Sequence, residues 1–330
     1  MYNGIIVIHK EPGYTSSDVV AKMRGILRTR KMGHTGTLDP DAVGVLPVCL
    51  GNATKLVELI ADRDKEYLCR MRLGVVTDTQ DTGGEVLRSY TPEETLRILR
   101  SQSKDLTALI ESAAERFVGE ISQIPPMYSA VRIGGKRLYE LARAGKTIDR
   151  PARQVTIRSI EIAPEGLLAP GAAEGGAVPD PVVTMRVVCG KGTYIRTLCE
   201  DIGEILTTGA AMEHLTRTRV GNFYLEQAVT LDELDVLAHT DEEALRRVIL
   251  PTDSFFPEAP KVTVRNGSLK YLENGNPLGE EGLKDLTVPF GSLERARVYD
   301  EEKRFYALYR YSPEKKQLVP VKMFLENTHS

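Results

Sequence analysis

The sequence predicts an α+β protein with two domains, and three observations lead to that prediction. Alternating or continuously apolar runs, typical of strands, lie between segments that carry helix caps and helically spaced apolar residues. The length of 330 residues exceeds that of one ordinary domain. Three prolines and two aromatic residues lie between Pro251 and Pro260, and only short strand-like runs follow, which indicates a linker and a small β-rich domain.

The first 61 residues predict a strand, a helix, a long loop and a second helix. Residues 4–8 are continuously apolar and indicate a buried strand. Ser16 or Ser17 is expected to cap the helix that follows. Residues 28–54 show no period and are rich in Gly, Pro and Asp, so we expect a long ordered loop, which in a compact domain is usually functional. A helix is expected at about 54–61.

The rest of the first domain alternates between strands and capped helices. Strands are expected at 67–76, 155–162 and 182–188. Helices are expected from Thr91, from about residue 106, from about residue 195 and from Thr230, and Thr91 and Thr230 each begin a capping box. Gly134-Gly135 predicts a tight hairpin. The Ala/Gly/Pro-rich stretch at about 163–181 is expected to be a surface insertion without a function.

Composition indicates a soluble cytoplasmic protein. Hydrophobic residues make up 42% of the chain and charged residues 27%, as in ordinary globular domains. The four cysteines have neither Cys-x-x-Cys spacing nor a histidine at a zinc-ligand interval, so we expect reduced, buried thiols and no metal site. The apolar run Ile5–Ile8 is too short for a signal peptide or a membrane span.

The distribution of charge favours a polyanionic partner, although the formal net charge is −3. Residues 130–158 contain eight basic residues against two acidic ones, and residues 19–38 contain basic residues but no acidic one. Each block is also compatible with an ordinary solvated face. Two such blocks in a slightly acidic chain indicate a phosphate backbone that crosses part of the surface.

The most informative segment runs from Gly33 to Val48. Asp39 precedes Pro40, which disfavours helical geometry at the aspartate. Read alone, an Asp-Pro pair more often forms a turn than a catalytic site. The segment has neither a Gly-Lys-Ser/Thr nor a Gly-x-Gly-x-x-Gly pattern, so the sequence does not predict a nucleotide cofactor.

This segment resembles the Gly-His-Thr-Gly-x-Leu-Asp-Pro motif of the TruB family of tRNA pseudouridine synthases. Four further blocks resemble that family in the same order and extend the likeness over nearly all of residues 3–255. They are Ile8-His9-Lys10-Glu11-Pro12-Gly13, Lys65-Glu66-Tyr67, Pro126-Met127-Tyr128-Ser129-Ala130 and Gly190-Lys191-Gly192-Thr193-Tyr194-Ile195-Arg196. A second branch of such enzymes centres on Arg-Leu-Asp, whereas here Thr37 precedes Leu38.

The resemblance implies the reaction and three catalytic residues. Uridine 55 in the T loop of tRNA would lose its N-glycosidic bond, rotate and rejoin the ribose through C5, with Asp39 as nucleophile and no cofactor. Arg196 would pair with Asp39, although its helix position alone favours a pair with Glu200. Tyr67 would stack on the uracil near C5, whereas its strand position alone favours core packing. An unshifted phenol, with a pKa near ~10, is a poor base.

The same resemblance implies substrate-binding residues. His34 would occupy the space left by the flipped base, and Lys10 would support the loop. Tyr194 and Leu215 match positions that line the uracil pocket. The basic hairpin, with Arg132, Lys136 and Arg137, is expected to close over the T loop.

The resemblance also implies a fold and a set of partners. Residues 1–255 would form the catalytic domain, a mixed, mostly antiparallel sheet with flanking helices. Residues 258–330 would form a small PUA-like RNA-binding domain. The expected partner is the T arm of tRNA, bound by a monomer without guide RNA or an obligatory protein partner. A hydrolytic nucleoside glycosylase and a non-catalytic RNA-binding protein are the two alternatives.

Overall fold

The computed structural model describes residues 2–163, 180–286 and 288–325. The insertion predicted at about 163–181 therefore falls almost entirely outside the described residues. The described chain forms a large sheet with helices packed on it, followed by a smaller C-terminal sheet. Among the described residues, no helix has the length and apolar character needed to cross a bilayer.

Thirteen strands precede the linker in the described chain. In chain order they are β1 (Gly4–Lys10), β2 (Met32–His34), β3 (Val43–Leu50), β4 (Lys65–Leu73), β5 (Val75–Thr77), β6 (Val86–Ser89), β7 (Gly119–Gln123), β8 (Arg132–Ile133), β9 (Lys136–Arg137), β10 (Arg153–Ile162), β11 (Val182–Cys189), β12 (Ala210–Val220) and β13 (Phe223–Tyr224).

Nine of these strands form the large sheet, in the order β1-β3-β12-β4-β11-β10-β7, with β2 on β3 and β13 on β12. Every pairing in this sheet is antiparallel except the one between β12 and β3. The sheet is thus mixed and mostly antiparallel, as predicted. Two separate hairpins, β5-β6 and β8-β9, project from it.

Nine α-helices occur in the described residues. They are α1 (Ser16–Ile26), α2 (Val57–Ala61), α3 (Pro92–Gln102), α4 (Leu106–Glu115), α5 (Leu138–Arg143), α6 (Ile195–Ile205), α7 (Leu231–Thr240), α8 (Glu242–Val248) and α9 (Leu269–Glu273). A short 3-10 turn at Gly51–Leu56 precedes α2, and another at Thr252–Phe255 follows α8.

The large sheet buries separate apolar clusters at its two ends. Helix α6 packs on β12 and β4, and its Leu198 and Ile202 belong to the same apolar cluster as Met185 and Val187 of β11. Helices α1 and α7 pack on β1 and β3 at the other end. The parallel contact between β3 and β12 joins these two halves.

Two predictions about the N-terminal region were wrong. The loop expected over 28–54 contains β3, which pairs with β1 from Gly44 to Leu50 and is nearly all buried. A strand buried on both faces has no alternation, and Pro47 also argued against a strand. The cap of α1 is Thr15, because Thr15 and Asp18 form a reciprocal capping box, while Ser16 is the first helical residue.

Three local predictions are confirmed. Thr91 with Glu94 and Thr230 with Glu233 form capping boxes at the starts of α3 and α7. Gly134 and Gly135 both have positive φ, at 58° and 83°, and connect β8 to β9 in a two-residue turn. Left-handed geometry at both positions is what a tight hairpin requires.

The C-terminal sheet has its own core and also packs on the first domain. Its strands are β14 (Lys261–Val264), β15 (Leu283–Leu286), β16 (Ala296–Tyr299), β17 (Phe305–Ser312) and β18 (Gln317–Met323), in the order β15-β14-β16-β17-β18. Phe255 and Phe256, after the linker begins, share a cluster with Leu308 and Phe324 from this sheet. That cluster also contains Ile5, so the two parts of the chain share apolar surface.

Candidate active site

Asp39 and Arg196 meet in a bidentate ion pair. Asp39 lies in the turn between β2 and β3, and Arg196 is the second residue of α6. Arg196 Nε lies 3.0 Å from Asp39 Oδ2, and Nη2 donates to Oδ1 at 3.2 Å. The Arg196 side chain is 5% exposed, whereas that of Asp39 is 41% exposed. The carboxylate is therefore held from below by the guanidinium and remains open to a ligand.

Further contacts fix the orientation of Arg196. Its Nη1 donates to the Thr79 carbonyl at 3.1 Å, and its Nη2 donates to the Tyr128 carbonyl at 2.8 Å. Asp81 Oδ2 lies 3.7 Å from Nη1. The alternative partner Glu200 instead accepts a hydrogen bond from Gln80. Asp81 was missed by sequence reasoning, because nothing distinguishes it from the neighbouring surface aspartates.

Opposing effects set the pKa of Asp39. Burial raises the pKa of this carboxyl above its ordinary value, and the Asp81 carboxylate acts in the same direction. Arg196 and Lys10 lower it, but the net direction is upward. The expected cation is thus present, although it does not fully offset the loss of solvent around the carboxyl.

Lys10 supports the Asp39 segment from beneath. Its side chain is buried at the end of β1, and Nζ donates to the carbonyls of Pro40 at 2.8 Å and Glu11 at 3.0 Å. Burial lowers the pKa of Lys10 to about 8, while Asp41 and Asp39 raise it. Lys10 therefore contacts the backbone beside the nucleophile candidate and does not line the cleft.

The ion pair lies in a cleft of about 990 Å³. Six residues predicted for the site line it, namely His34, Asp39, Arg132, Arg137, Arg196 and Leu215. Residues that the sequence reasoning did not assign to the site line it as well, namely Thr79, Asp81, Tyr139 and Arg143. The cleft thus combines an acidic centre with a rim that carries several arginines.

Tyr67 lies beneath the floor of the cleft. Its side chain is buried in the cluster that also contains Leu38 and Leu215, and it does not line the open space. Burial raises the pKa of the Tyr67 hydroxyl, and Arg217 acts in the opposite direction. Tyr67 is thus a neutral phenol near the site, whose contact with a base stays a prediction.

His34 lines the cleft as a neutral ring. Burial lowers the pKa of His34, and the positive charge of Arg217 lowers it further. Its Nδ1 atom is buried and has no hydrogen-bond partner among the described residues. This nitrogen is therefore not accessible to a ligand in the present arrangement of the ring.

The basic hairpin forms part of the rim. Arg137 Nη1 donates to the Tyr139 hydroxyl at 2.7 Å, and the guanidinium of Arg143 lies 5.4 Å from the centre of the Tyr139 ring. Lys136 is exposed on the same hairpin but does not line the cleft. The positive charge is thus arranged around one aromatic side chain beside the site.

Tyr194 lies at the start of α6 and does not line the cleft. It caps α6, and its backbone N–H and carbonyl both bond to the Gln123 side chain, at 2.8 and 3.0 Å. Its assignment to a uracil pocket stays a prediction. Among the described residues, no group of three or more His, Cys, Asp or Glu side chains is arranged to hold a metal ion.

Comparison with known proteins identifies the family. The family model described as TruB family pseudouridylate synthase (N terminal domain) matches residues 24–195. The chain belongs to the TruB family. The model described as tRNA pseudouridylate synthase B C-terminal domain matches residues 196–256.

Relatives in the TruB family match over nearly the whole chain. The tRNA pseudouridine synthase B of Lachnoclostridium phytofermentans is 46% identical over 98% of this chain and 100% of that protein. The protein of the same name from Bacillus pumilus is 39% identical over the full length of both. The chain is therefore similar to these enzymes over nearly its whole length.

Solved structures confirm the fold. A chain in the crystal structure of a Cbf5-Nop10-Gar1 complex matches with a TM-score of 0.63 and 27% identity, over 98% of this chain and 85% of that one. A chain in an H/ACA RNP bound to a substrate RNA containing 2'-deoxyuridine matches with a TM-score of 0.62 and 25% identity, over 98% and 86%. The α+β prediction and the family assignment thus agree.

Proposed function

We propose that this protein converts uridine to pseudouridine at position 55 in the T loop of tRNA. The observation that carries the proposal is the bidentate Asp39–Arg196 pair, with the carboxylate open to a large cleft. Membership of the TruB family and the names of its relatives support tRNA as the substrate. The arginines at the rim suit the phosphates of a T arm.

Asp39 is the nucleophile in this proposal. A carboxylate must be ionised to attack, and Arg196 favours the ionised form through two charge-assisted hydrogen bonds. Attack at the ribose C1′ and attack at the pyrimidine ring both begin from this same ionised group. The glycosidic bond then breaks, the base rotates and C5 joins the ribose. The product is an isomer, so the reaction needs no cofactor.

Tyr67 is assigned to packing against the base, which requires the extruded uracil to reach below the present floor of the cleft, where Tyr67 is buried. Because burial raises the pKa of its hydroxyl, the phenol is neutral at physiological pH and is a poor acceptor for the C5 proton. That proton passes to another group. Leu215, in the same apolar cluster as Tyr67, supplies a second surface for the ring.

His34 takes the space left when the base is extruded. Unstacking the base costs a few kcal/mol, and a ring that replaces it recovers ~1–3 kcal/mol. We therefore expect His34→Ala to slow modification by about 10-fold to 100-fold and Asp39→Ala to abolish it. Single-turnover rates at saturating tRNA measure both. Equal loss in the two variants, with tRNA binding intact, would contradict this division of roles.

The decisive experiment uses T-loop RNA with wild-type protein and Asp39→Asn. Chemical mapping should find pseudouridine at the position equivalent to 55 with wild type and none with the variant. The RNA mass should stay unchanged, because a hydrolytic glycosylase would release the base. Release of free uracil would favour a hydrolytic nucleoside glycosylase. RNA that binds but stays unchanged would favour a non-catalytic RNA-binding protein.

The remaining assignments complete the proposal. Residues 258–330 would act as the PUA-like domain that contacts the acceptor stem, and the protein would act as a monomer without guide RNA. The free, buried state of Cys49, Cys69, Cys189 and Cys199 supports a reducing, cytoplasmic location.

A further inference from the structure

Arg217, on β12, is the largest fully buried side chain among the described residues and is 1% exposed. Its Nε donates to the Val45 carbonyl at 2.7 Å, and its Nη2 donates to the Gly36 carbonyl at 3.3 Å. No carboxylate of the described residues forms an ion pair with it. Arginine is rarely buried without an anion, because loss of hydration is costly. A charge retained at such a cost points to a role in the site above it.

The two carbonyls that Arg217 contacts lie on either side of Asp39. Gly36 is in the turn that leads to the aspartate, and Val45 is in the strand that leaves it. Because Arg217 donates to both, one guanidinium connects the start and the end of the segment that carries the carboxylate. The Arg217 side chain thus contacts the chain on both sides of Asp39.

Arg217 also faces Tyr67. The two residues are directly opposite each other in the antiparallel ladder between β4 and β12. Side chains of directly opposed residues project from the same face of a sheet. The Arg217 guanidinium also affects the Tyr67 hydroxyl through its charge and a hydrogen bond.

The approach of β12 to the Asp39 segment is sterically fixed. Gly44 has a φ of +104°, and a Cβ there would lie 2.2 Å from the Arg217 carbonyl oxygen. The backbone of Arg217 thus lies directly against β3, and its side chain reaches the Gly36 carbonyl in the turn. The segment that carries Asp39 and the strands that carry Tyr67 and Arg217 are therefore fixed relative to one another.

We propose that Arg217 is a positioning residue whose planar guanidinium holds the Asp39 segment and the Tyr67 side chain in one fixed arrangement. This inference rests on the proposed function, because it assigns a role in the same site. Arginine suits the role and lysine does not, since the guanidinium presents several donors in a rigid plane whereas an ammonium is a single point charge.

The first test is Arg217→Lys, which keeps the charge and removes the planar set of donors. In single-turnover reactions, the amplitude counts folded, RNA-binding molecules, and the rate constant reports how well those molecules react. We expect the rate constant to fall at least about 10-fold and the tRNA Kd to change by less than about 2-fold. The matched control is Arg219→Lys, on the same strand, where the arginine pairs with Glu66 at 3.6 Å. It should keep the wild-type rate constant.

A purely structural role predicts a different result. It would lower the amplitude and the melting temperature of Arg217→Lys but leave the rate constant of the folded fraction at the wild-type value. That result would overturn the proposal. Because amplitude and rate constant are separate, partial unfolding of the variant does not obscure the outcome.

A second test needs no turnover. Burial is the main reason that the pKa of Lys10 is lowered to about 8. Asp41 and Asp39 raise this pKa, and the positive charge of Arg217 lowers it. In folded Arg217→Met, the Lys10 pKa followed by NMR of labelled lysine should rise, because a positive neighbour is gone. An unchanged Lys10 pKa would overturn the assigned placement of Arg217. Absence of pseudouridine with the wild type would overturn the proposed function and leave this titration valid.

Discussion

Lys10 changes its charge at mildly alkaline pH, because its pKa lies at about 8. Its pKa of about 8 is set mainly by burial, and its Nζ donates to the Pro40 carbonyl beside Asp39. Below that pH the ammonium supplies positive charge to the two neighbouring aspartates. Above it, the charge disappears and one donor proton with it. The state of a single buried lysine is therefore coupled to the segment that carries the nucleophile.

We predict that the single-turnover rate constant falls as the pH rises through about 8. The sign follows from the lowered pKa, because the protonated, supporting form is present below it. Lys10→Arg should lack this alkaline limb, since a guanidinium stays charged to a pH above ~12. The measurement is the pH profile of each protein, normalised to its own plateau. If the rate constants of both proteins fall with the same midpoint, a group other than Lys10 is responsible for the titration.

Single residues show where sequence reasoning reached its limit. Asp39 and Arg196 were assigned from motifs, and the structure brings them together although they lie 157 positions apart. Arg217 was missed, because an arginine between Thr216 and Thr218 in a strand is usually solvated. Its partner Gly36 is 181 positions away, and no local pattern carries that contact.

At the scale of elements, strand β3 could not be recognised from its sequence. Its burial follows from contacts with β1 on one side and with β2 and β12 on the other. The capped helices were recognisable, because a capping box lies within four consecutive residues. Local signals thus predicted the helices and the hairpin, whereas the strand that places Asp39 depends on distant partners.

The close approach of β3 to β12 predicts an effect of Gly44→Ala. The left-handed backbone alone costs about 1–2 kcal/mol for a residue with a side chain. The Cβ would also overlap the Arg217 carbonyl, so the loss of stability should be larger. The matched control is Gly134→Ala, which has positive φ but no atom within 4 Å of its Cβ. Urea unfolding measures the loss of stability in each variant. Equal losses would show that the overlap with the Arg217 carbonyl does not contribute.

The β8-β9 hairpin predicts a salt-dependent contribution to RNA binding. Arg132→Glu with Arg137→Glu should weaken tRNA binding, because both side chains line the rim of the cleft. Each RNA phosphate that the variant no longer neutralises should reduce the slope of log K against log salt concentration by about 0.7–0.9. Filter binding at several salt concentrations gives both the affinity and the slope.

The control for that charge reversal is Arg100→Glu, an exposed arginine in the last turn of α3 outside the cleft. It changes one charge without touching the rim, and its salt slope should match the wild type. If the tRNA affinity of the hairpin variant falls no further than that of this control, the RNA does not bind along the hairpin.

At the scale of the whole molecule, the C-terminal sheet stabilises the first domain as well as extending it. Phe324 lies 6.3 Å from Phe256 and 5.3 Å from Phe305, measured between ring centres. Lys55, before α2, also donates to the Met323 carbonyl at 2.9 Å. Removal of this sheet would therefore expose aromatic surface in addition to removing any RNA-binding surface it provides.

We predict that truncation after residue 257 raises the tRNA concentration needed for half-maximal rate and lowers the melting temperature. The rate at saturating tRNA should persist, because the residues that line the cleft lie between Thr15 and Leu215. Phe324→Ala in the full chain is the control, since it removes packing and keeps the rest of the domain. Complete loss of turnover in the truncated protein at a temperature where it is folded would contradict this prediction.

The parallel pairing of β3 with β12 has a consequence for biosynthesis. Val45 and the guanidinium that binds its carbonyl are 172 positions apart, so a ribosome must deliver more than 200 amino acids before they can meet. Until then the nascent chain has its aspartate but lacks the strand beneath it. Competence for catalysis should therefore arise late in translation, and stalled chains that end before Arg217 should be inert however well their first helix has formed.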